Sequence, residues 1–572
     1  MRLFDKIKKY FYREDPGQLK RELAWLWSHV RRYRGRILLC GLLGLGGTVM
    51  SLISGVASKY LIDAVTGHGS HMLGRAAMIM VLTMLAGLVL QGISSRTGAS
   101  THVHVKNEMQ HMTYGRILRA GWEALEPYRS GDLLSRLNTD VNVVSEGVIG
   151  FLPALASAGV KFLGAFCIML CYDPTMAVIA LLGVPAILAV SRMSLRKMHS
   201  HNQHMKELTA EVMSFQEDSF RNLTSIKAFA LADRFEDDLH RLQGNYAHTY
   251  LTFNAFQIGL SSFLSLVSMA VTASCFGWGV YRLWSGRITY GSLTLFLELA
   301  GTLRGSFSSL VSLAQQAVSL TTSAGRILAV EALPAEQKAV PDGLIQETGL
   351  NMELSQVSFR YCTGETVLEP FAFTANHGDL IAVTGPSGEG KTTLLRLLLG
   401  LVEPDTGRAE LVGSSGKRYP LDAGTRQVFA YVPQGSSVFS GTIAENLRLV
   451  RPDASEEELE EVLRIACAWE FVNCLPGGLH HRLGAGGRGV SEGQAQRLAI
   501  ARALLRRAPV LLLDEATSGL DIATERKLMK NLKESGRLQT CILVTHRPES
   551  ARFCNRTYEI RRRHVTEVTD EA

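Results

Sequence analysis

Paired cysteines are absent from this sequence. Its nine cysteines are scattered over 572 residues, and no two of them are separated by only two residues. Spacing of this kind supplies neither the ligands of a zinc site nor a disulfide framework, so we expect neither. The closest two, Cys167 and Cys171, share a face of an apolar segment, where we interpret them as separate buried thiols.

The sequence also lacks the opening of a secretory signal peptide. Met1–Trp27 mixes apolar and charged residues, whereas a signal peptide places a basic tip before an apolar core. We expect this segment to form an amphipathic helix on the inner surface of a membrane.

A large excess of one charge is missing as well, since the net charge is only +7 at pH 7. Much of the positive charge stands directly ahead of the first apolar run, as is typical of the cytoplasmic flank of a membrane helix. A nucleic-acid partner is therefore not expected. The basic residues of this flank are Lys6, Lys8, Lys9, Lys20, Arg21, Arg31, Arg32, Arg34 and Arg36.

Long apolar runs, by contrast, are plentiful in the first half of the chain. A helix needs about 20 apolar residues to cross the hydrocarbon core of a bilayer, and six stretches reach or approach that length. The fourth is the shortest and contains Pro185, which a membrane helix tolerates. The stretches are Ile37–Ala57, Ala76–Ile93, Val148–Leu170, Met176–Val190, Ile258–Val280 and Leu293–Val318.

The connections between these stretches differ in length. The second and fourth, Ser94–Ser145 and Ser191–Gln257, are long and polar, so we expect helices that continue far out of the membrane. Lys and Arg are abundant in them and sparse in the three short connections, which places the N-terminus and the long connections in the cytoplasm. The pattern predicts an all-α six-helix bundle with long cytoplasmic helical extensions, multi-pass in the lipid bilayer of a plasma (inner) membrane.

A polar linker follows the last apolar stretch. It carries Pro334 and Pro341, and beyond it short strand-like runs alternate with helical patterns, which is typical of a parallel sheet flanked by helices. We therefore predict a membrane domain at 1–330, a linker at 331–350 and a cytoplasmic α/β domain at 351–572. The strand-like runs are Leu380–Thr384, Val428–Val432, Val510–Leu513 and Cys541–Val544.

A glycine-rich loop indicates the chemistry of this second domain. The run from Gly385 to Thr392 reads GPSGEGKT, which fits the P-loop pattern, and it lies between a strand-like run and a helical segment. In such a loop the backbone N–H groups hold phosphate, Lys391 neutralises the terminal phosphates and Thr392 offers its hydroxyl to Mg²⁺. The predicted nucleotide contacts of this loop are Gly385, Pro386, Ser387, Gly388, Glu389, Gly390, Lys391, Thr392 and Thr393.

A strand that ends in two acids supplies the other half of the site. We expect Asp514 to hold Mg²⁺ through water and Glu515 to polarise the attacking water. Together with the P-loop, this pair predicts an α/β P-loop ATPase domain that uses ATP and Mg²⁺, with Lys391 and Glu515 as catalytic residues.

The residues between these motifs carry a family resemblance. Val490–Arg497 reads VSEGQAQR and is similar to the LSGGQ signature of ABC ATPases. The resemblance implies that Tyr361 stacks on adenine, that Gln434 touches Mg²⁺, and that His546 contacts the γ-phosphate as a further catalytic residue. Ser518–Asp521 resembles the D-loop of the family, with glycine in place of the usual alanine.

The membrane half resembles the exporter type of the same family. Gly131–Asp140 and Ile226–Phe229 match its two inner loops, near which short helices dock onto the ATPase domain, and Gly286–Gly291 matches the turn before its last membrane helix. The resemblance implies a half-transporter that exports a drug, lipid or peptide by ATP-driven alternating access. A leader-cleaving peptide exporter is disfavoured, because no cysteine-peptidase domain precedes the first helix.

The resemblance also implies a dimer, because in this family the signature completes the ATP site of a second subunit. Ser491, Gly493 and Gln494 would then face the partner's nucleotide. The signature departs from the family pattern at Val490 and Glu492, and we expect the Glu492 carboxylate to point away from ATP. The intact catalytic residues favour a homodimer, while the altered signature leaves a heterodimer open.

Charged residues inside the apolar stretches need a reason, because each costs about 2.5–3.5 kcal/mol on insertion scales. Lys161 in the third stretch and Glu298 and Arg304 in the sixth either pair with one another or contact a polar or charged substrate. Lys59 and Asp63 stand four residues apart, and we expect them to form an ion pair at the outer end of the first helix.

Three other functions compete with export. An importer is disfavoured, because import systems usually keep membrane and ATPase chains separate and the short connections here leave little to receive a binding protein. An ATP-gated sensor or regulator without net transport stays open. A soluble ABC ATPase acting on ribosomes or DNA is excluded by the six apolar stretches.

Overall fold

The computed structural model divides the chain into two compact units. One contains Met1–Gly115 with Ser130–Ala332, and the other contains Arg116–Arg129 with Leu333–Ala572. We call them the helical unit and the sheet unit. The structure describes residues 16–67, 73–128, 130–179, 204–205, 208–209, 211–220, 222–336, 339–361, 364–435, 437–484, 487–536 and 540–568.

The helical unit contains helices and no strands among its described residues. Its helices are Pro16–Arg32, Arg34–Val65, Leu73–Arg119, Ser130–Ser135, Val141–Tyr172, Leu223–Ala228, Ala232–Trp284 and Tyr290–Glu331, with a π-helical turn at Arg136–Asp140. Residues 174–179 and 211–220 are helical as well. The all-α prediction for this part of the chain is confirmed.

Four of the described helices are long and apolar enough to cross a membrane. They are Arg34–Val65, Leu73–Arg119, Ser130–Tyr172 and Ala232–Trp284, and only 6 to 17% of their most apolar windows is buried inside the chain. The longest has 53 residues, which is about 80 Å at 1.5 Å per residue and more than twice a bilayer core of about 30 Å. The prediction that helices extend far beyond the membrane is confirmed.

The six predicted apolar stretches had different outcomes. The first, second, third and fifth lie within those four helices. The sixth lies in Tyr290–Glu331, a helix of 42 residues, but it is not among the four; its apolar run is interrupted by Glu298 and Arg304 as well as by serine, threonine and glycine. In the fourth stretch, residues 176–179 are helical and residues 180–190 lie outside the described part of the chain.

Two buried aspartates connect the ends of helices that are distant in sequence. Asp63 accepts hydrogen bonds from the Gly291 N–H at 2.9 Å and from Lys59 Nζ at 3.0 Å, so the predicted Lys59–Asp63 pair is confirmed. Asp173 forms an ion pair with Arg282 at 2.6 Å, which the sequence did not reveal. Each carboxylate therefore fixes a short connection to a neighbouring helix.

The predicted first inner-loop motif is held by a charged network. The Arg326 guanidinium lies 2.6 Å from the Asp132 carboxylate and 3.2 Å from the Asp140 carboxylate. Ser323 Oγ donates to Asp140 at 2.8 Å, and Arg136 Nη1 donates to the Arg326 carbonyl at 2.7 Å. The motif is thereby anchored to the last long helix of the helical unit.

The described residues of the sheet unit form three sheets. A six-stranded sheet has the order β12-β11-β3-β10-β9-β6, a four-stranded sheet has the order β2-β1-β4-β5, and β7 pairs with β8. The strands are β1 (Leu350–Arg360), β2 (Thr366–Ala375), β3 (Leu380–Thr384), β4 (Thr406–Gly413), β5 (Arg418–Pro420), β6 (Phe429–Val432), β7 (Gly441–Thr442), β8 (Arg482–Leu483), β9 (Val510–Asp514), β10 (Thr540–Val544), β11 (Arg556–Arg561) and β12 (His564–Val568).

The predicted parallel sheet is confirmed. Strand β10 pairs in parallel with β3 and β9, and β9 pairs in parallel with β6. Every residue of β9 and β10 is buried, which explains their unbroken apolar runs, because a parallel sheet covered on both faces has no polar side. The antiparallel sheet built on β1 was not predicted.

The helices of the sheet unit are short. They are Trp122–Leu125, Lys391–Leu398, Ile443–Arg448, Glu456–Ile465, Trp469–Cys474, Glu492–Leu505, Ile522–Glu534 and Pro548–Ala551, with 3₁₀ turns at Leu344–Gln346, Thr425–Val428 and Gly478–His480. The first of them belongs to the segment 116–129, which is joined to this unit through its backbone. The Gly121 N–H donates to the Pro334 carbonyl at 3.0 Å, and the Glu336 N–H donates to the Arg119 carbonyl at 2.9 Å.

The described cysteines are all free. The prediction that Cys167 and Cys171 are buried was wrong, since both are exposed on the helix Val141–Tyr172. The physical reason is that an apolar side chain on a membrane helix can face lipid, so an apolar sequence does not require a protein neighbour.

Candidate nucleotide site

The predicted catalytic motifs follow four neighbouring strands of the parallel sheet. Strands β3, β10, β9 and β6 lie side by side in this order. They lead into the P-loop at Gly385, into His546, into the Asp514–Glu515 pair and into Gln434, respectively. The carboxyl ends of parallel strands meet at one edge, which is where open α/β sheets bind ligands. The topology therefore assembles these motifs at one place.

The P-loop backbone requires glycine at its first position. Gly385 has a φ of +136°, and a Cβ there would lie 2.1 Å from the Ile560 carbonyl oxygen. Gly388 and Gly390 also have positive φ, at +84° and +106°. These turns lead directly into the helix Lys391–Leu398, whose first N–H groups are suited to hold phosphate.

The Lys391 side chain folds back over the loop. Its Nζ donates to the Gly385 carbonyl at 2.9 Å and to the Pro386 carbonyl at 2.8 Å. Burial lowers the pKa of the Lys391 amine, and the carboxylates of Glu515 and Asp514 oppose that shift only in part. An anionic phosphate beside this amine would stabilise its charged form.

Asp514 is a buried carboxylate beside the P-loop. It is 2% exposed and accepts a hydrogen bond from the Tyr431 hydroxyl at 3.2 Å. Burial raises the pKa of the Asp514 carboxyl, while hydrogen bonds from Tyr431 and Thr392 act in the opposite direction. Asp514 and Thr392 thus place a carboxylate and a hydroxyl together, which is the oxygen chemistry that Mg²⁺ prefers, with phosphate and water as its remaining ligands.

The Glu515 carboxylate is held between two other predicted site residues. Its Oε2 accepts a hydrogen bond from Gln434 Nε2 at 2.7 Å, and its Oε1 lies 2.6 Å from His546 Nε2. Glu515 has a φ of +49°, an uncommon conformation for a residue other than glycine. The structure therefore brings two residues, which follow the two flanking strands β6 and β10, to one carboxylate that follows β9.

Tyr361 is fixed by contacts that sequence reasoning missed. Its ring packs edge-on against Phe359, with centroids 4.8 Å apart, and its hydroxyl lies 3.2 Å from Thr393 Oγ1. Arg396 Nη1 donates to the same hydroxyl at 2.7 Å, and the Arg396 guanidinium stacks 5.5 Å from the Trp122 ring centroid. The adenine-stacking candidate is thereby linked to the segment 116–129.

The signature-like run begins a helix. Ser491 is the N-cap of Glu492–Leu505: its Oγ accepts from the Gln494 N–H at 3.3 Å, and its own N–H donates to Gln494 Oε1 at 2.8 Å. Ser491 and Glu492 are exposed. In the described part of the chain, no hydrogen bond or ion pair joins Ser491 or Gln494 to the P-loop.

Gly493 has a packing role within its own chain. A Cβ on Gly493 would lie 2.4 Å from the Gly519 carbonyl oxygen, so the signature helix and the D-loop touch through their glycines. Gln496, which is fully buried, locks this contact, because its Oε1 accepts from the Gly519 N–H at 2.9 Å and its Nε2 donates to Ser518 Oγ at 3.1 Å. Sequence reasoning missed Gln496.

Arg547 ties the residue beside His546 to the same D-loop. Its guanidinium donates to the Ser518 carbonyl at 2.8 Å and to the Leu520 carbonyl at 2.9 Å. It also pairs with the buried Glu525 at 2.8 Å. His546, the D-loop and the signature helix are therefore mechanically connected through Arg547 and Gln496. The fold and this site define a P-loop ATPase attached to an apolar helical unit.

Comparison with known proteins places the chain in a family. Residues 37–307 match the family described as ABC transporter transmembrane region, and residues 368–518 match the family described as ABC transporter. The two matches together span most of the chain. The protein therefore belongs to the ABC transporter family, as an exporter-type chain in which one membrane region is fused to one ABC ATPase domain.

Similar proteins extend over nearly the whole length. The uncharacterized ABC transporter ATP-binding protein YfiC of Bacillus subtilis is 27% identical over 551 residues, which cover 94% of this chain and 88% of that protein. The ATP-dependent lipid A-core flippase of Chromobacterium violaceum is 28% identical, with 91% and 90% covered. The fatty acid ABC transporter ATP-binding/permease protein of Mycobacterium bovis is also 28% identical, with 87% and 78% covered.

The fold is shared with a solved exporter. The structure of a bacterial Atm1-family ABC exporter with ATP bound superposes with a TM-score of 0.81 at 21% sequence identity. The match covers 94% of this chain and 95% of that one. The fold predicted from the sequence, a helical membrane domain with an α/β ATPase domain, is confirmed.

The Arg396 contact generates a testable prediction. Replacing Arg396 by glutamine removes the charged donor from the Tyr361 hydroxyl, so the ring is held less firmly and the KM for ATP should rise about fivefold with little change in kcat. ATPase assays on the purified full-length protein measure both constants. Arg552→Gln, an exposed arginine on the same unit, is the control and should behave as wild type. An unchanged KM in Arg396→Gln would show that the hydrogen bond does not position the tyrosine.

Proposed function

We propose that this protein is one half of a dimeric exporter that uses ATP hydrolysis to move its substrate across a plasma (inner) membrane by alternating access. The observation that supports this most directly is the Glu515 carboxylate, held by Gln434 and His546 at the sheet edge that also carries the P-loop. The described residues of the fused helical unit include four helices that are apolar enough to cross a membrane. The proposed ATP hydrolysis would change the conformation of this unit.

In the proposed reaction, the P-loop and Lys391 hold the β- and γ-phosphates of ATP. Mg²⁺, bound by Asp514 and Thr392 with Gln434 nearby, would neutralise charge on the phosphates. Glu515 accepts the proton of the attacking water, and His546 stabilises the γ-phosphate as its bond to ADP breaks. The 2.6 Å contact between His546 and Glu515 keeps both side chains in position for these two tasks.

The second subunit is proposed from the position of the signature helix. Ser491 and the Glu492 side chain are exposed at its N-terminus, and within one chain the signature contacts the D-loop rather than the P-loop. The N-terminus of this 14-residue helix attracts anionic phosphate through its dipole. A second copy would therefore bring Ser491 and Gly493 to the γ-phosphate bound by Lys391 of its neighbour.

Export is preferred to the alternatives because of the covalent fusion and the similar proteins. The relatives named above include a lipid flippase and a fatty acid transporter, so a lipid or other amphiphile is a reasonable substrate class alongside drugs and peptides. The proposal orients the N-terminus and the sheet unit toward the cytoplasm. An importer or a sensor without net transport would share the ATP site but not the outward flux.

Replacing Glu515 by glutamine tests the catalytic assignment. The amide cannot accept the proton of the attacking water, so ATP binding should persist while turnover falls by at least a hundredfold. Binding of a labelled ATP analogue and release of phosphate, measured on the same preparation, separate the two effects. Hydrolysis at the wild-type rate would refute the role of Glu515 as the general base.

A cross-linking experiment tests the shared site. Ser387→Cys in the P-loop and Ser491→Cys in the signature, in a chain otherwise free of cysteine and carrying Glu515→Gln, should be joined by a short bismaleimide when ATP is present. The expected product is a covalent dimer of twice the chain mass on a denaturing gel. The control pair places the second cysteine at Ser355, an exposed residue of β1. Linkage only within single chains would contradict the dimer.

Transport direction in sealed vesicles distinguishes export from its alternatives. Inside-out vesicles containing the protein should accumulate a fluorescent phospholipid or amphiphilic dye in their lumen when ATP is added outside, and vesicles with Glu515→Gln should not. Accumulation of a substrate in the opposite direction would indicate an importer. Hydrolysis of ATP that never produces flux across a panel of such probes would indicate a sensor.

A further inference from the structure

A partly open cavity of about 570 Å³ lies on the helical unit. Its wall is made by the helices Arg34–Val65, Val141–Tyr172 and Tyr290–Glu331. The volume lies within the range of about 300–1,000 Å³ that is usual for small-molecule sites in proteins. All the lining residues that the structure describes belong to the helical unit of one chain.

Among the lining residues that the structure describes, Lys161 is the only charged one. It stands eleven residues before Tyr172, the end of its helix, which is about 17 Å along the axis and near the middle of a hydrocarbon core of about 30 Å. A charge at that depth is costly unless it has a partner. Among the residues that the structure describes, Lys161 has no ion pair or hydrogen-bond partner.

The pairing that the sequence left open between Lys161 and Glu298 is not formed. Glu298 instead lies against the neighbouring helix, where its Oε1 would be 3.0 Å from a Cβ placed on Gly55. Since no carboxylate lines the cavity, the positive charge of Lys161 has no counter-charge from the described protein. A ligand with an anionic group would supply that counter-charge.

The rest of the lining is neutral and adaptable. Seven of the fourteen lining residues carry a hydroxyl, among them Ser306, which donates to the Thr302 carbonyl at 2.7 Å, and Ser309, which donates to the Gly305 carbonyl at 3.0 Å. Each hydroxyl can turn its proton from the helix toward a ligand oxygen. Leu52 and Leu313 contribute an apolar side to the same cavity.

We propose that this cavity binds an amphiphile with one anionic head group, a carboxylate or a phosphate ester, whose charge pairs with Lys161. The serine and threonine hydroxyls donate to the remaining oxygens of the head group, and the apolar part of the ligand contacts the leucines. This inference rests on the proposed function, because such a ligand would be the exported substrate. Charge complementarity at one lysine makes the sign of the head group the main determinant of binding.

Direct binding to the full-length protein tests the proposal without requiring hydrolysis. The protein is placed in phosphatidylcholine nanodiscs without nucleotide, and four probes with the same twelve-carbon chain are compared below their micellar concentrations. Dodecanoate and dodecyl phosphate should bind at least tenfold more tightly than dodecanol and dodecylamine. The two anions also show whether a carboxylate or a phosphate is preferred. Equal affinity for dodecanol and the anions would overturn the inference.

Variants of Lys161 locate the effect. Lys161→Gln should weaken anion binding at least tenfold and leave dodecanol binding unchanged, whereas Lys161→Arg should retain anion binding within about threefold. Lys106→Gln, on the helix Leu73–Arg119 and outside the cavity, is the matched control. Wild-type anion affinity in Lys161→Gln would overturn the proposal. If that variant does not fold, the head-group series on the wild type and on Lys161→Arg still decides.

The two proposals fail in different ways. ATP hydrolysis stimulated by an uncharged or cationic amphiphile, with no preference for anions, would leave the exporter assignment standing and refute the anionic site. Selective anion binding through Lys161 in a protein that never transports would support the site and refute export. The nucleotide-free binding assay therefore reports on the cavity alone.

Discussion

The Glu515 carboxylate depends on a backbone conformation that a sheet edge imposes. Its positive φ turns the chain sharply after β9, and the two flanking strands then supply Gln434 on one side and His546 on the other. None of the three side chains could reach the others without the parallel order β10-β9-β6. The strain at Glu515 is stored at the site where the proposed chemistry occurs, as is common for residues that must be held in one orientation.

The same constraint extends to the surface where the signature helix begins. Arg547 follows His546 directly and holds the D-loop carbonyls, and Gln496 holds the other side of that loop. If a change at the γ-phosphate moves His546, the D-loop and the signature helix should therefore shift as well. Gly493 and Gly519 are packed so closely that the signature helix and the D-loop have to move together. An alanine in place of Gly519 would put its Cβ 3.0 Å from Gln496 Oε1 and 3.2 Å from the Gly493 nitrogen, which is tight.

Sequence reasoning reached the parallel sheet and the order of site motifs because both depend on short runs of residues. Buried parallel strands are apolar throughout, so β9 and β10 were visible as unbroken runs. The P-loop is visible because its turns demand glycine at fixed spacing. The antiparallel sheet was missed because β1 is buried on one face only, so its apolar residues alternate with polar ones. The ion pair of Asp173 with Arg282 was missed because it joins residues far apart in sequence.

The roles of Arg396 and Gln496 in the site were not predicted, because both depend on contacts between residues that are distant in sequence. Nothing in the local pattern around Arg396 distinguishes it from other arginines on short helices, and its role appears only when Trp122 and Tyr361 meet it. Gln496 likewise looks like an ordinary polar residue until its complete burial is known. Cys167 was predicted to be buried and is exposed. An apolar stretch of sequence does not show whether a side chain in it faces lipid or protein.

The backbone attachment of segment 116–129 has a practical consequence for dissecting the protein. A recombinant ATPase fragment that starts at residue 333 would lose the strand-like partner of its own first residues, Pro334 and Glu336. It would also expose the Arg396 guanidinium, which packs against the Trp122 ring in the full-length protein. Kinetic constants measured on such a fragment would describe an ATPase with a loosened adenine pocket, and they should not be used as the baseline for the intact transporter.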